Sequence, residues 1–267
     1  MKAPDLRVAR IDFNCDLGEG CGSDGAIVPL ISSASIACGG HAGDEATMRA
    51  TLRLCREHGV AVGAHPGYAD REHFGRRELA LPAQAVSELV IGQLGRLQAV
   101  ARDEGMRLGH VKPHGALYNL AARDRPTADA VAAAVAAFDP SLVLFGLSGS
   151  QLTAAGEAAG LRIAHEVFAE RGYAADGRLL PRDAPGAVLA TVDAAIAQAR
   201  ALTNCGEVRT GEGTLLKLRA DTLCLHGDRP DAAAFALALR RALEADGVTI
   251  GALTDAAPEP PRQTWMG

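Results

Sequence analysis

An α/β fold built on a parallel sheet is the reading this sequence supports, and three features carry it. Seven short apolar runs alternate with longer stretches of helical periodicity, the pattern of strands joined by helical crossovers. The chain of 267 residues is long enough to bury a large core without disulfide or metal staples. No linker rich in Ser, Gly or Pro divides it and no internal repeat stands out, so residues 1–254 are expected to form one domain.

The first strand is expected over residues 8–15 and continues into Asp16. Period-two geometry sends Ile11, Phe13 and Cys15 to one face and Asp12, Asn14 and Asp16 to the other. A buried strand rarely carries such a ladder unless its polar groups are bonded or catalytic, because burying them without partners is costly. The second strand, 34–38, runs into CGGHAGD with His41 and Asp44, and a helix over 44–57 follows. The third, 60–64, runs into GAHPGY with His65 and Tyr68 ahead of a helix over 82–104. The fourth, 108–112, ends in VKPHGALY with Lys112, His114 and Tyr118, and the Ala-rich helix 127–137 comes next.

The fifth strand, 142–147, turns through GLSGS into a helix over 149–159; that turn reads equally as an ordinary connection and as an amide cradle for an anion. The sixth, 161–167, leads into residues 173–185, rich in Gly, Asp, Arg and Pro and expected as a loop over one end of the sheet, before a helix over 187–203. The last strand, 222–226, runs into CLHGD with His226 and Asp228, and Pro230 suits the first turn of the helix over 231–245. From Asp255 the chain has three prolines and no periodicity, which predicts a flexible tail over 255–267.

In β/α barrels the loops at the carboxyl ends of the strands build the site, so His41, His65, His114 and His226 from four strands are expected to converge on one mouth. One strand-end histidine is more often a packing residue; four at equivalent positions favour a shared site. His58 and His73 lack this placement and read as surface residues, and His110 and His165 read as core or supporting residues. The six cysteines form no CxxC pair and read as buried thiols.

A net charge of -5 with no Lys/Arg cluster argues against nucleic acid and anionic membrane as partners. No apolar run is long enough to span a bilayer and the start lacks a signal peptide's apolar stretch, so a cytoplasmic protein is expected. The phosphate loop, the nucleophile elbow, the dinucleotide fingerprint and HExxH are all missing from the sequence. Carboxylates, histidines and one lysine remain, equipment for general acid/base hydrolysis or for binding a divalent metal.

Six collinear segments, IDFNCDLGEG, SIACGGHAGD, VGAHPGY, GHVKPHGALYN, EVFAERGYAADGRLLPR and CLHGD, resemble the LamB/YcsF family from about Ile11 to Leu253. The resemblance implies a seven-stranded β/α (TIM-like) barrel of the glycoside hydrolase/deacetylase type. It also implies the ATP-dependent hydrolytic opening of 5-oxo-L-proline to L-glutamate, performed by a 5-oxoprolinase together with partner subunits B and C. ATP, accompanied by Mg, is then the cofactor of the assembly.

Carried over residue by residue, the family's polar positions are Asp12, Asn14, Asp16, Glu19, His41, Asp44, His65, Lys112, His114, Glu166, Arg171, Tyr173, His226 and Asp228. Asp12, Asp16, His65, Lys112 and His114 are the expected catalytic group and the others the expected substrate contacts. If a metal binds, Asp16, His41 and His65 are its candidate ligands. Glu170 departs from the pattern, standing where the family's FADR carries Asp, and its extra methylene moves the carboxylate. Two other readings share the residues: a metal-dependent amide or carbohydrate N-deacetylase, and a non-catalytic binding subunit of a larger complex.

Overall fold

The structure, a computed structural model, describes residues 10–227 and 231–253. Seven parallel strands close on themselves: β1 (Arg10–Leu17), β2 (Ser33–Ala37), β3 (Ala61–His65), β4 (Leu108–Val111), β5 (Val143–Leu147), β6 (Arg162–Phe168) and β9 (Thr222–His226). Closure comes from β9, which pairs with β6 through Glu166↔Thr222 and with β1 through Asp12↔Thr222. The expected barrel is therefore present. Between β6 and β9 lies an antiparallel hairpin, β7 (Glu207–Arg209) and β8 (Leu215–Lys217), and β10 (Thr249–Ile250) extends β1 at its amino end.

The helices are α1 (Asp24–Ile27), α2 (Glu45–His58), α3 (Ala83–Asp103), α4 (Gly115–Arg123), α5 (Arg125–Phe138), α6 (Gln151–Ala158), α7 (Val192–Cys205) and α8 (Ala232–Ala245). Their ends follow side-chain chemistry. Asp44 caps α2 by accepting from the Thr47 amide at 2.8 Å, and Asp124 caps α5 through the Thr127 amide at 2.9 Å. Gly59 and Gly206 end α2 and α7 in the left-handed region, where a Cβ is disfavoured. Helix α7 starts at Val192 rather than 187 because Thr191 supplies the cap, and α4 has no counterpart among the helices expected from the sequence.

Two cores result. The outward residues of β1, Ile11, Phe13, Cys15 and Leu17, join Met48, Leu52, Leu94, Leu97, Val131 and Phe235 in a continuous apolar layer between strands and helices. Inside the barrel a separate small apolar cluster, Val143, Phe145 and Ala164, packs against Leu253. His110 stacks on Phe145 there, with ring centroids 4.3 Å apart, and meets Ser35 Oγ at 3.2 Å, in line with a core role. All six cysteines are free thiols; Cys15, Cys38, Cys55 and Cys224 are buried as expected, whereas Cys21 and Cys205 are exposed.

Candidate active site

The ladder on β1 points into the barrel and stands at three depths. Asp12, deepest, accepts from Ser32 at 2.7 Å, Ser33 at 2.6 Å and Thr222 at 2.6 Å. Burial pushes its carboxyl up, and the three hydroxyls offset only part of that. Asp12 thus holds β1, β2 and β9 together below the cavity. Asn14, one layer higher, donates to Glu166 at 3.0 Å and Thr222 at 2.7 Å. Asp16 reaches the mouth.

Lys112, at the end of β4 and 2% exposed, lies between these layers. Its ammonium meets Asp16 Oδ1 at 2.8 Å, Glu166 Oε1 at 2.8 Å, Asn14 Oδ1 at 3.2 Å and Cys224 Sγ at 3.0 Å. Burial works against the charged amine, but the neighbouring Asp16 outweighs it and Lys112 is held well above its ordinary value. Burial likewise works against the Asp16 carboxylate, and the charges of His65 and Lys112 outweigh it, so Asp16 is held well below its ordinary value.

Three histidines complete the floor. His65 Nε2 is 3.3 Å from Asp16 Oδ2 and 2.9 Å from His114 Nδ1, and His41 stacks on His114 with centroids 3.6 Å apart. Glu19, from the turn after β1, reaches all three, its Oε1 lying 3.1 Å from His41, 3.3 Å from His114 and 3.9 Å from His65. Burial lowers His41 and His114; His65 is raised because Asp16 outweighs the same penalty. The rings are packed by glycines: a Cβ on Gly67 would lie 2.8 Å from His41 Nδ1, and one on Gly75 2.7 Å from His41 Cβ. Gln93 of α3 pins the Gly67 peptide from behind, accepting from its amide at 3.1 Å and donating to its carbonyl at 2.7 Å.

Across the mouth, Glu170 Oε1 accepts from the His226 backbone amide at 3.0 Å and from His226 Nδ1 at 2.6 Å. Nε2 is left for a ligand. The longer side chain at 170 therefore has a use that the motif alone did not reveal. Arg171 spends Nε on Ala187 O at 3.1 Å and Nη2 on Leu180 O at 2.6 Å, tying down the predicted loop. Burial first, then nearby Arg182, lowers its guanidinium to about 10. Tyr173 accepts from the Phe168 amide at 2.9 Å and anchors the same loop from below.

Above this floor lies a cavity of about 690 Å³, lined by Asp16, Glu19, His65, Lys112, His114, Arg171 and His226 and roofed by residues 178–183. Asn14, His41 and Glu166 stand behind that lining. Asp44 lies on the surface as the cap of α2, outside the cavity, because its side chain is committed to Thr47. Asp228 and the tail 255–267 lie outside the described residues. Sequence reasoning missed the carbonyl of Phe74, which accepts from His114, and Cys224 beside Lys112; strand alternation on β9 placed Cys224 inward with Thr222 and could have found it. The cavity thus offers charged carboxylate, ammonium and imidazole groups at fixed positions, suited to moving protons and stabilising charge on a small polar substrate.

Comparison with known proteins places the arrangement. The LamB/YcsF family model matches residues 11–258. The chain is 50% identical over 247 residues to the A subunit of 5-oxoprolinase from Bordetella pertussis, covering 91% of this chain and 98% of the relative. It is 53% identical over 250 residues to the corresponding A subunit from Symbiobacterium thermophilum, covering 92% and 96%. Among solved structures it resembles the lactam utilization protein of Thermus thermophilus, with a TM-score of 0.85 and 45% identity over 91% of this chain and 100% of that one.

Proposed function

Because this chain belongs to the LamB/YcsF family, we propose that it is the A subunit of a 5-oxoprolinase, a hydrolase that opens the lactam of 5-oxo-L-proline to L-glutamate. The observation that carries the reading is Asp16, held ionised at the cavity floor between Lys112 at 2.8 Å and His65 at 3.3 Å. Ring opening requires water to add to the carbonyl carbon. The C–N bond then breaks, and the electron pair left on nitrogen takes a proton. Asp16 orients the water and accepts its proton. The charge of Lys112 favours negative charge developing on the carbonyl oxygen. His226, oriented through Nδ1 by Glu170, delivers a proton to the ring nitrogen from Nε2. Arg171, at the cavity wall, faces the substrate carboxylate with the guanidinium nitrogen that the loop carbonyls leave over.

Amide resonance and ready reclosure of a five-membered ring oppose net hydrolysis, which is why ATP is needed. We assign ATP, with its Mg, to the assembly formed with subunits B and C. The test measures glutamate formation and ATP turnover by this chain alone, by subunits B and C alone, and by all three together. Coupled glutamate formation only in the complete mixture supports the reading. Undiminished coupled activity without this chain contradicts it.

A further inference from the structure

Two histidine nitrogens at the cavity floor face each other directly. His65 Nδ1 lies 2.7 Å from the Lys112 carbonyl and His114 Nε2 2.9 Å from the Phe74 carbonyl. A carbonyl oxygen only accepts, so both of these nitrogens carry their ring's proton. In neutral rings the other pair, His65 Nε2 and His114 Nδ1, then present lone pairs to each other across 2.9 Å. Positive charge has to lie there. Glu19 Oε1 and His41 Nε2 converge on the same point, 3.1 Å apart.

We propose that Glu19, His41, His65 and His114 form a binding site for one divalent transition cation. In a tetrahedral set with bonds of about 2.0–2.1 Å, donor atoms stand about 3.3–3.4 Å apart. Four of the six donor pairs stand 2.9, 3.1, 3.3 and 3.9 Å apart, and all six lie within 4.8 Å. His41 and His114, stacked with centroids 3.6 Å apart, would splay as both turn their lone pairs to one ion. Ligating histidines characteristically donate their second N–H to a carbonyl or carboxylate, and His65 and His114 both do. The acceptor for His114 is held by unusual backbone: Phe74, with φ 54°, is the one non-glycine residue in the left-handed region among the described residues. A shared proton would satisfy His65 and His114 alone, whereas a cation engages all four donors. Imidazole and carboxylate donors suit zinc, cobalt or manganese. Glu19 takes the place expected for Asp16, whose Oδ1 is committed to Lys112.

Binding is read without subunits B and C or ATP, so it stands or falls apart from the proposed reaction. The full chain, stripped with a chelator, is titrated with Co²⁺ and Zn²⁺ and followed by calorimetry, visible absorption of cobalt and thermal melting. One ion per chain, a cobalt band of low coordination number and a raised melting temperature are expected. His65→Gln and His114→Gln should each weaken binding by at least about 100-fold, and Asp44→Asn should leave it unchanged. Circular dichroism checks folding. If a histidine variant does not fold, Glu19→Gln replaces it, with a loss of about tenfold or more expected. No stoichiometric binding by the wild-type chain at millimolar Co²⁺ or Zn²⁺ overturns the proposal, as does binding indifferent to Glu19→Gln and both histidine changes.

Discussion

The barrel wall separates two interiors of opposite character. Outside it, Leu52, Leu94, Leu97, Val131 and Phe235 are fully buried among other apolar side chains. Inside it, Asp12, Asn14, Asp16, His65, Lys112 and Glu166 are buried to nearly the same extent, beside a smaller apolar set that includes Val143, Phe145, Ala164, Leu147 and Phe168. Both belong to the same strands, because alternate residues of a strand face opposite sides. The outer layer gains stability from area removed from water, about 25 cal/mol per Å². The inner layer is held by mutual satisfaction of polar groups, which contributes less net stability but fixes each group in place. Stability and chemistry are thus assigned to the two faces of one sheet.

The most severe way to break that division is to remove the inner cation. Lys112→Met leaves Asp16 and Glu166 facing each other without a counter-charge. It should cost about 3–5 kcal/mol in urea unfolding and abolish coupled glutamate formation in the complete assembly. The matching change outside is Leu94→Ala. A cavity in the apolar layer should cost about 2–5 kcal/mol, while activity per folded molecule stays within a factor of two or so of wild type. Comparable stability losses with opposite effects on activity are the signature expected of two separate interiors.

Glu170→Gln tests the far wall of the cavity more gently. It keeps the volume but weakens the hold on His226, so kcat should fall by about 10²-fold with little change in unfolding free energy. The smallest effect belongs to a carboxylate wholly outside the barrel. Glu104 accepts from Arg53 and Arg49, at 2.8 Å from each, and these bonds hold its carboxyl down at about 2 from an ordinary 4.5. A depressed value stabilises the folded state above the ordinary value and ceases to as pH falls through the depressed one. Glu104→Gln should therefore be less stable than wild type at pH 6, and the two should converge as pH falls from 4.5 toward 2. Activity near neutrality should not change.

Much of this division was legible in the sequence. Alternation in Ile11 to Asp16 separated the two faces of β1 directly, and the strand-end histidines announced a common mouth. The match is weaker where a role depends on distance. Helix α4 was hidden because Gly115 to Asn119 reads as the polar end of a strand motif, although Gly115 opens a helix. Asp44 sits in a strand-end motif, yet an Asp three residues before Thr47 is also a helix cap, and that local bond determined its place. Glu170 stood out as a departure, but only its 2.6 Å contact with His226 shows what the longer side chain reaches. The meeting of His41, His65 and His114 combines β2, β3 and the turn after β4. Their strand-end positions predicted the shared mouth, but not the 2.9 Å approach of His65 to His114 or the stacking of His41 on His114.

The central claim is that the polar interior, with Asp16 at its head, opens the lactam. The direct measurement is ATP-coupled glutamate formation by Asp16→Asn, assembled with subunits B and C and normalised to folded protein by circular dichroism. Asparagine keeps the size of the side chain but takes no proton from water, so the rate should fall by at least about 10³-fold. Glutamate formation at the wild-type rate by a folded, assembled Asp16→Asn protein would contradict the account.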